Sequence, residues 1–250
     1  CNNFYVSCER VFQPSLEGRP VGVLSNNDGC VIARSTELKA MGVEMGTPAF
    51  RLQPCLQRGE IHLLSSNYEL YGDMSARVRM VLEEGVDEVE PYSIDEMFVR
   101  LEGLDDAALT RQARSLYDDV RRYTGLPVCV GVGPTHTLAK LANHVAKSSA
   151  AYQGVCILTA DSDETRYLLR HTPIGDIWGL GRRLAERLAL LGLRNAWDLR
   201  NADAKTLRRH HSVVLERTIL ELRGISCIAM QDDEARRRIP DHIGFQGNLE

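Results

Sequence analysis

The apolar residues change their period once along the chain, near residue 162, and that change limits the fold more than any single motif. Before it, short apolar runs that fit strands alternate with segments in which apolar residues recur every three or four positions. After it, only the helical spacing remains. Val21 to Leu24 predicts a strand, Ser25-Asn26-Asn27-Asp28-Gly29 a loop, and Glu37 to Met41 a short helix ended by Gly42. Leu70, Met74, Val78 and Val81-Leu82 predict an amphipathic helix over residues 68–82. Val89 to Tyr92 and Val99-Arg100-Leu101 predict a hairpin. Leu109 to Tyr123 predicts a second amphipathic helix, the VCVGVG run at 128–133 a buried strand, and Thr137 to Ala146 a third helix. This order predicts an α+β class, a sheet with helices packed on one face. Residues 163–223 predict an all-helical module, with Leu184, Leu188 and Leu191 on one helix face and Leu215, Ile219 and Leu222 on another before Gly224.

A content of 44% hydrophobic and 26% charged residues excludes disorder, collagen and coiled coil. No apolar run approaches the ~18–20 residues of a membrane span, and the opening CNNFYVSCER is not a secretory signal. Seven cysteines, an odd number without C-x-x-C, predict core-filling free thiols, a cytoplasmic location and no structural zinc. The net charge of -4 argues at first against nucleic acid. By segment, residues 1–161 carry 15 basic and 21 acidic side chains, residues 162–223 carry 12 and 8, and residues 224–250 carry 3 and 5. The helical module is therefore the basic one.

Two motifs carry chemistry. In Tyr92-Ser93-Ile94-Asp95-Glu96-Met97-Phe98, two adjacent carboxylates fall between predicted strands, where a rigid backbone can hold oxygen ligands. Taken alone, the pair is weak evidence, and two solvated acids in a hairpin turn account for it better. Gly179-Leu180-Gly181-Arg182 opens an amphipathic helix with Arg182 and Arg183 in its first turn, which suits a phosphate backbone. A helix C-cap followed by a solvated basic face accounts for it too. Gly131-Val132-Gly133 lacks the further glycine of a dinucleotide fingerprint and the Gly-Lys of a P-loop, so both readings are rejected. His136 and His144, eight residues apart without an acidic neighbour at ligand spacing, are expected to pack or lie at the surface.

The opening NNFYVSCERVFQPSLEGRPVGVLSNNDGCVIARSTELKAMGVEMGTP, then SSNYELYGDMSARV, YSIDEMF, GVGPTHTLAKLANHVAK and DIWGLGRRLAERL, follow the order of Y-family translesion DNA polymerases. SNNDGCVIAR resembles most the UmuC-like (ImpB/MucB/SamB) branch. The resemblance spans residues 2 to about 224. It implies a palm with an antiparallel or mixed sheet (1–4 and 67–160), small fingers (5–66), an all-helical thumb (161–230) with a helix-hairpin-helix near 176–191, and a linker or tail (231–250). It further implies DNA synthesis past lesions with two magnesium ions, in an SOS-type mutagenic repair setting. Asp95 would bind both metals, Glu96 the metal that activates the primer 3'-hydroxyl, and the Cys1 backbone carbonyl would be a further metal contact. Tyr5 would be the steric gate against ribonucleotides. Asn3, Phe4, Tyr5, Arg34, Lys39 and Lys147 would bind the nucleotide, and Gly179, Gly181, Arg182 and Arg183 the DNA. Implied partners are primer-template DNA, dNTP, a UmuD-like subunit, a recombinase filament and the sliding clamp.

The sequence departs from the family's pattern at three places. The family's first metal-binding Asp falls immediately before Cys1, so the chain reads as a polymerase core cut short there, and a protein that began at Cys1 is expected to be weak or inactive. The little finger is not present in the 250 residues. Thr36 stands where the family often has an aromatic residue. A catalytically inactive DNA-binding or scaffold homologue is the alternative. A nucleotide cyclase would explain the carboxylates but leave the basic helices without a role.

Overall fold

The computed structural model describes residues 1–159 and 161–228, which fall into two compact units. The proposed tail at 231–250 lies outside the described residues. Of the described residues, the first unit takes in Cys1–Glu102 and Asp118–Val128, the second Gly103–Tyr117 and residues 129–228.

In the first unit, helix α1 (Phe4–Phe12) precedes a sheet of β1 (Val21–Leu24), β2 (Val31–Arg34) and β3 (His62–Leu64). β1 is central, antiparallel to β2 and parallel to β3, and all four of its residues are buried, as its unbroken VGVL run requires. Two helices, α2 (Thr36–Ala40) and α3 (Ala49–Gln57), lie between β2 and β3. Leu24, Val31, Leu38, Leu52 and Ile61 form a local core. The long helix α4 (Tyr68–Gly85) begins at Asn67, whose side chain accepts from the Leu70 N–H at 3.1 Å. A hairpin of β4 (Val89–Pro91) and β5 (Met97–Val99) follows, with Glu90 opposite Phe98.

Helix α5 (Asp106–Thr124) runs from one unit into the other. The second unit pairs β6 (Val130–Val132) in parallel with β7 (Val155–Ile157), joined by α6 (His136–Ser148). Here the two glycines of the GVG run find their reason. A Cβ on Gly131 would lie 2.1 Å from the Asn143 nitrogen, and one on Gly133 2.7 Å from that of Ala139, because α6 crosses β6 at backbone distance. Helices α7 (Asp163–His171), α8 (Arg182–Leu190), α9 (Ala196–Asn201), α10 (Ala204–His210) and α11 (Val213–Leu222) complete the unit. Leu138, Ala142, Leu169, Leu188, Leu199 and Ile219 meet in its core. Four of these five helices start on a capping side chain: Ser162, Asn195 (a reciprocal box with Asp198), Asp203 and Ser212. Helix α8 starts on Gly181 without one.

The α+β class holds, with three differences from the periodicity. The strands pair in three small sheets, not one, among the described residues. The strand expected to be buried at 128–133 is half-buried in β6. None of the seven cysteines is in a disulfide, yet only Cys8 and Cys156 are buried, so core filling accounts for two of the seven. Elements α1, β2, α3 and β3 had no counterpart in the spacing reading, being three to nine residues long and mixed in composition. Among the described residues no helix is long and apolar enough to cross a membrane.

Candidate active site

The carboxylates of Asp95 and Glu96 stand half-buried in the turn joining β4 to β5. The turn is closed by the N–H groups of Tyr92 and Ser93, both donating to the Glu96 carbonyl, at 2.9 and 3.0 Å. The Ser93 hydroxyl donates to Asp95 Oδ1 at 2.8 Å and accepts from the Asp95 N–H at 3.4 Å, so one side chain orients the acid and fixes its backbone. Ser93 was not singled out in the sequence, although its place two residues before the acid is the usual signal of such a turn.

The chain's opening residues meet this turn. The Cys1 nitrogen donates to the Asp95 carbonyl at 2.5 Å, the Asn2 N–H donates to the Pro127 carbonyl at 2.8 Å, and the Ser7 hydroxyl donates to the Asn2 carbonyl at 2.8 Å. Cys1 is thus held beside Asp95. Asn3 follows in the left-handed region (φ 48°), which asparagine tolerates, and turns the chain into α1. Its side chain does not cap that helix. Instead its Oδ1 accepts from Lys39 Nζ at 2.5 Å and its Nδ2 donates to Thr36 Oγ1 at 3.3 Å, both on α2. The first-turn N–H groups of α1, at Phe4 and Tyr5, have no intrahelical acceptor by helix geometry. With Lys39 beside them, the arrangement favours an anion. Arg34, on β2, donates from Nη1 to the Val43 carbonyl at 2.7 Å, which commits part of its guanidinium to the backbone.

Tyr5 is half-buried in the first turn of α1. Its ring stacks on Tyr71 (centroids 4.3 Å apart, planes at 14°) and meets the edge of Tyr68 at 6.0 Å. Burial raises its phenol above the usual value, and Tyr68, once ionised, and then the Asp95 carboxylate raise it further, which puts gate candidate and carboxylate within electrostatic reach. Among the described residues no group of three or more His, Cys, Asp or Glu side chains is arranged to hold a metal.

The remaining candidates belong to the second unit. Lys147 is exposed in the last turn of α6. Gly179 requires glycine (φ 82°), whereas Gly181 has an ordinary φ of -70° and open space where a Cβ would go. Arg182 and Arg183 are exposed, and Arg182 lies 3.7 Å from Glu186, a surface pair of little energetic weight. The buried Ile177 and Leu180 anchor the turn, and a short 3-10 turn at Ile174–Asp176 stands ahead of it.

A fold of small sheets and packed helices, with Asp95 held beside the start of α1 in the first unit and a basic helical module in the second, defines an α+β protein. Comparison with known proteins gives that class its family. The profile described as the impB/mucB/samB family matches residues 1–144, and the IMS family HHH motif matches residues 162–193. The chain belongs to the impB/mucB/samB family. It is similar to Protein ImpB of Salmonella typhimurium, 47% identical over 233 residues, and to Protein UmuC of the same organism, 47% over 232 residues. Each alignment covers 92% of this chain and 55% of the relative. The chain thus spans about half the length of the curated relatives it matches. Among solved structures it resembles the insertion ternary complex of Dbh DNA polymerase, with a TM-score of 0.73 and 25% identity over 88% of this chain and 64% of that one. The Y-family, UmuC-like resemblance carried by the five ordered motifs is borne out.

Proposed function

We propose that the protein performs template-directed, error-prone DNA synthesis past lesions by two-metal nucleotidyl transfer. The observation that carries this reading is the junction of the Asp95-Glu96 turn with the opening of α1, where Cys1 donates to the Asp95 carbonyl and Tyr5 lies within reach of the Asp95 charge. The donor set fits magnesium, a hard cation that takes one or two carboxylates and leaves its other positions to water and substrate phosphates. Asp95 would hold both ions, Glu96 the one at the primer 3'-hydroxyl, and the Cys1 carbonyl a further position. When bound, the ions supply charge stabilisation at the attacking and leaving oxygens of an in-line displacement.

The chain's own groups do the rest. The N–H groups at Asn3 and Phe4, with Lys39 and Arg34, would hold the triphosphate, Tyr5 would lie beneath the sugar, and the family resemblance alone gives Lys147 a triphosphate role. Gly181, Arg182 and Arg183 would receive a DNA phosphate at the uncapped start of α8, with Gly179 shaping the turn. Gly181 is neither strained nor crowded, and beyond its place as the N-cap of α8 the absent side chain would let a phosphate approach closely. In this reading residues 1–4 and 67–160 serve as palm, 5–66 as fingers and 161–230 as thumb. The substrates are primer-template DNA and dNTP in a cytoplasmic setting, with which seven cysteines outside any disulfide agree. A UmuD-like subunit, a recombinase filament and the sliding clamp rest on the resemblance alone.

Primer extension by the full-length protein tests the proposal. Asp95→Ala and Glu96→Ala are each expected to cut magnesium-dependent extension by more than about 100-fold. Extension at the unsubstituted rate in either variant removes the metal assignment, and no metal-dependent extension in the parent favours the inactive scaffold.

A further inference from the structure

A tyrosine and a carboxylate that the nucleotide does not need to touch are built into the back of the Tyr5 ring. Glu9 lies four residues after Tyr5 on α1, one helical turn along the same face. Tyr71, on α4, spans both positions. Its ring stacks on Tyr5 at 4.3 Å and its hydroxyl donates to Glu9 Oε1 at 2.7 Å. Tyr71 is 0% exposed and Glu9 7%. Tyr68 closes the cluster with its edge toward both rings, 6.0 Å from each. Asn67 fixes the first turn of α4, which carries Tyr68 and leads directly into Tyr71.

A carboxylate in a core of aromatic rings is costly, and an apolar pair of the same volume would fill the space with no desolvation penalty. What the hydrogen bond adds is direction. Stacking alone lets two rings slide over one another, whereas a ring held at its para position cannot slide. Burial and the Glu9 carboxylate keep the Tyr71 phenol far above its usual value, so the donor persists across the working pH range.

We infer that Glu9 and Tyr71 are positioning residues for sugar discrimination: the Glu9–Tyr71 hydrogen bond locks Tyr71, and the stacked Tyr71 ring holds Tyr5 rigid against a 2'-hydroxyl. The inference rests on the reading of Tyr5 as the gate. A gate ring free to rock yields to the extra oxygen, while a clamped ring rejects it. Selectivity then depends on groups that contact neither sugar nor metal.

The test is single-nucleotide insertion by the full-length protein, with kcat and KM measured for one deoxynucleotide and its ribonucleotide on the same primer-template. Tyr71→Phe keeps the ring and removes the hydrogen bond. It is expected to lower the deoxy-to-ribo ratio of kcat/KM by about 3- to 10-fold, with the deoxynucleotide KM within about twofold of the parent. Glu9→Ala is expected to lower the ratio similarly, and Glu9→Gln, which retains an acceptor, to restore most of it. Tyr5→Ala separates the two readings. If it leaves the ratio unchanged, the gate reading falls and this inference with it. If it relaxes the ratio while Tyr71→Phe and Glu9→Ala do not, the clamp is wrong and the gate stands. Equal losses for both sugars in Tyr71→Phe, or failure of Glu9→Gln to restore the ratio, overturn the clamp in favour of a packing role.

Discussion

A methyl group on Gly131 would sit 2.1 Å from the Asn143 nitrogen and 2.4 Å from the Ala139 carbonyl, and neither is a flexible side-chain tip that can step aside. Gly131→Ala is therefore expected to destabilise the protein by about 3 kcal/mol, the upper end of ordinary overpacking, as read from the midpoint of urea unfolding. At Gly181 the same change meets open space and an ordinary backbone, so unfolding is expected to shift by less than about 0.5 kcal/mol. If the phosphate reading holds, DNA binding weakens in Gly181→Ala without loss of stability. Both glycines sit in glycine-X-glycine runs, and the spacing in the sequence does not separate them. One is glycine because a helix passes overhead, the other sits in open space at the N-cap of α8.

Arg10, on α1, donates to the carbonyls of Leu16 and Arg19 and reaches Glu37 on α2 at 2.9 Å. It ties together the two helices whose ends carry Asn3 and Lys39. Burial tends to raise the Glu37 carboxyl, but hydrogen bonds from its own backbone N–H, from Ser35 and from Arg10 outweigh it and hold the group below its usual value. A group depressed in the folded state contributes stability at neutral pH and loses it as pH falls through the folded value. Wild type is thus expected to exceed Glu37→Gln in stability near neutral pH, by less than about 1 kcal/mol because the pair is partly solvated, with the difference lost in acid titrations of unfolding as pH falls through the depressed folded value. In the second unit Glu221, 0% exposed on α11, accepts from the Thr137 N–H at 3.0 Å and from those of Cys227 and Ile228. Its side chain serves as an extra N-terminal acceptor for α6 and anchors the chain after α11. Glu221→Ala strips three backbone donors of their acceptor and is expected to cost about 3 kcal/mol. Neither tie was legible beforehand, since partners 27 and 84 residues apart leave no local spacing signal.

Charge is the property that sets the two ends of the sequence apart, with 12 basic against 8 acidic side chains over 162–223 and the reverse balance before it. If the exposed Arg182 and Arg183 contact phosphates, replacing both by Ala is expected to reduce the slope of log affinity against log salt by up to about 2. An unchanged slope removes them from the DNA contact set. The sequence alone determined the α+β class, the helices longer than about twelve residues, the hairpin that carries Asp95 and Glu96, and the family, because periodic burial and ordered motifs are written locally. Tertiary structure decided the division into units, in which residues 103–117 side with the chain beyond 129: Arg114 donates to the Gln153 carbonyl, and Gly154 leaves room for the Tyr117 ring. It also decided that Glu9, Tyr71 and Tyr5 form one cluster, and that Asn3 serves α2 instead of capping α1. Those contacts join segments tens of residues apart through ring faces and single hydrogen bonds. Their partners are chosen by the packing of whole helices, which no window along the chain contains.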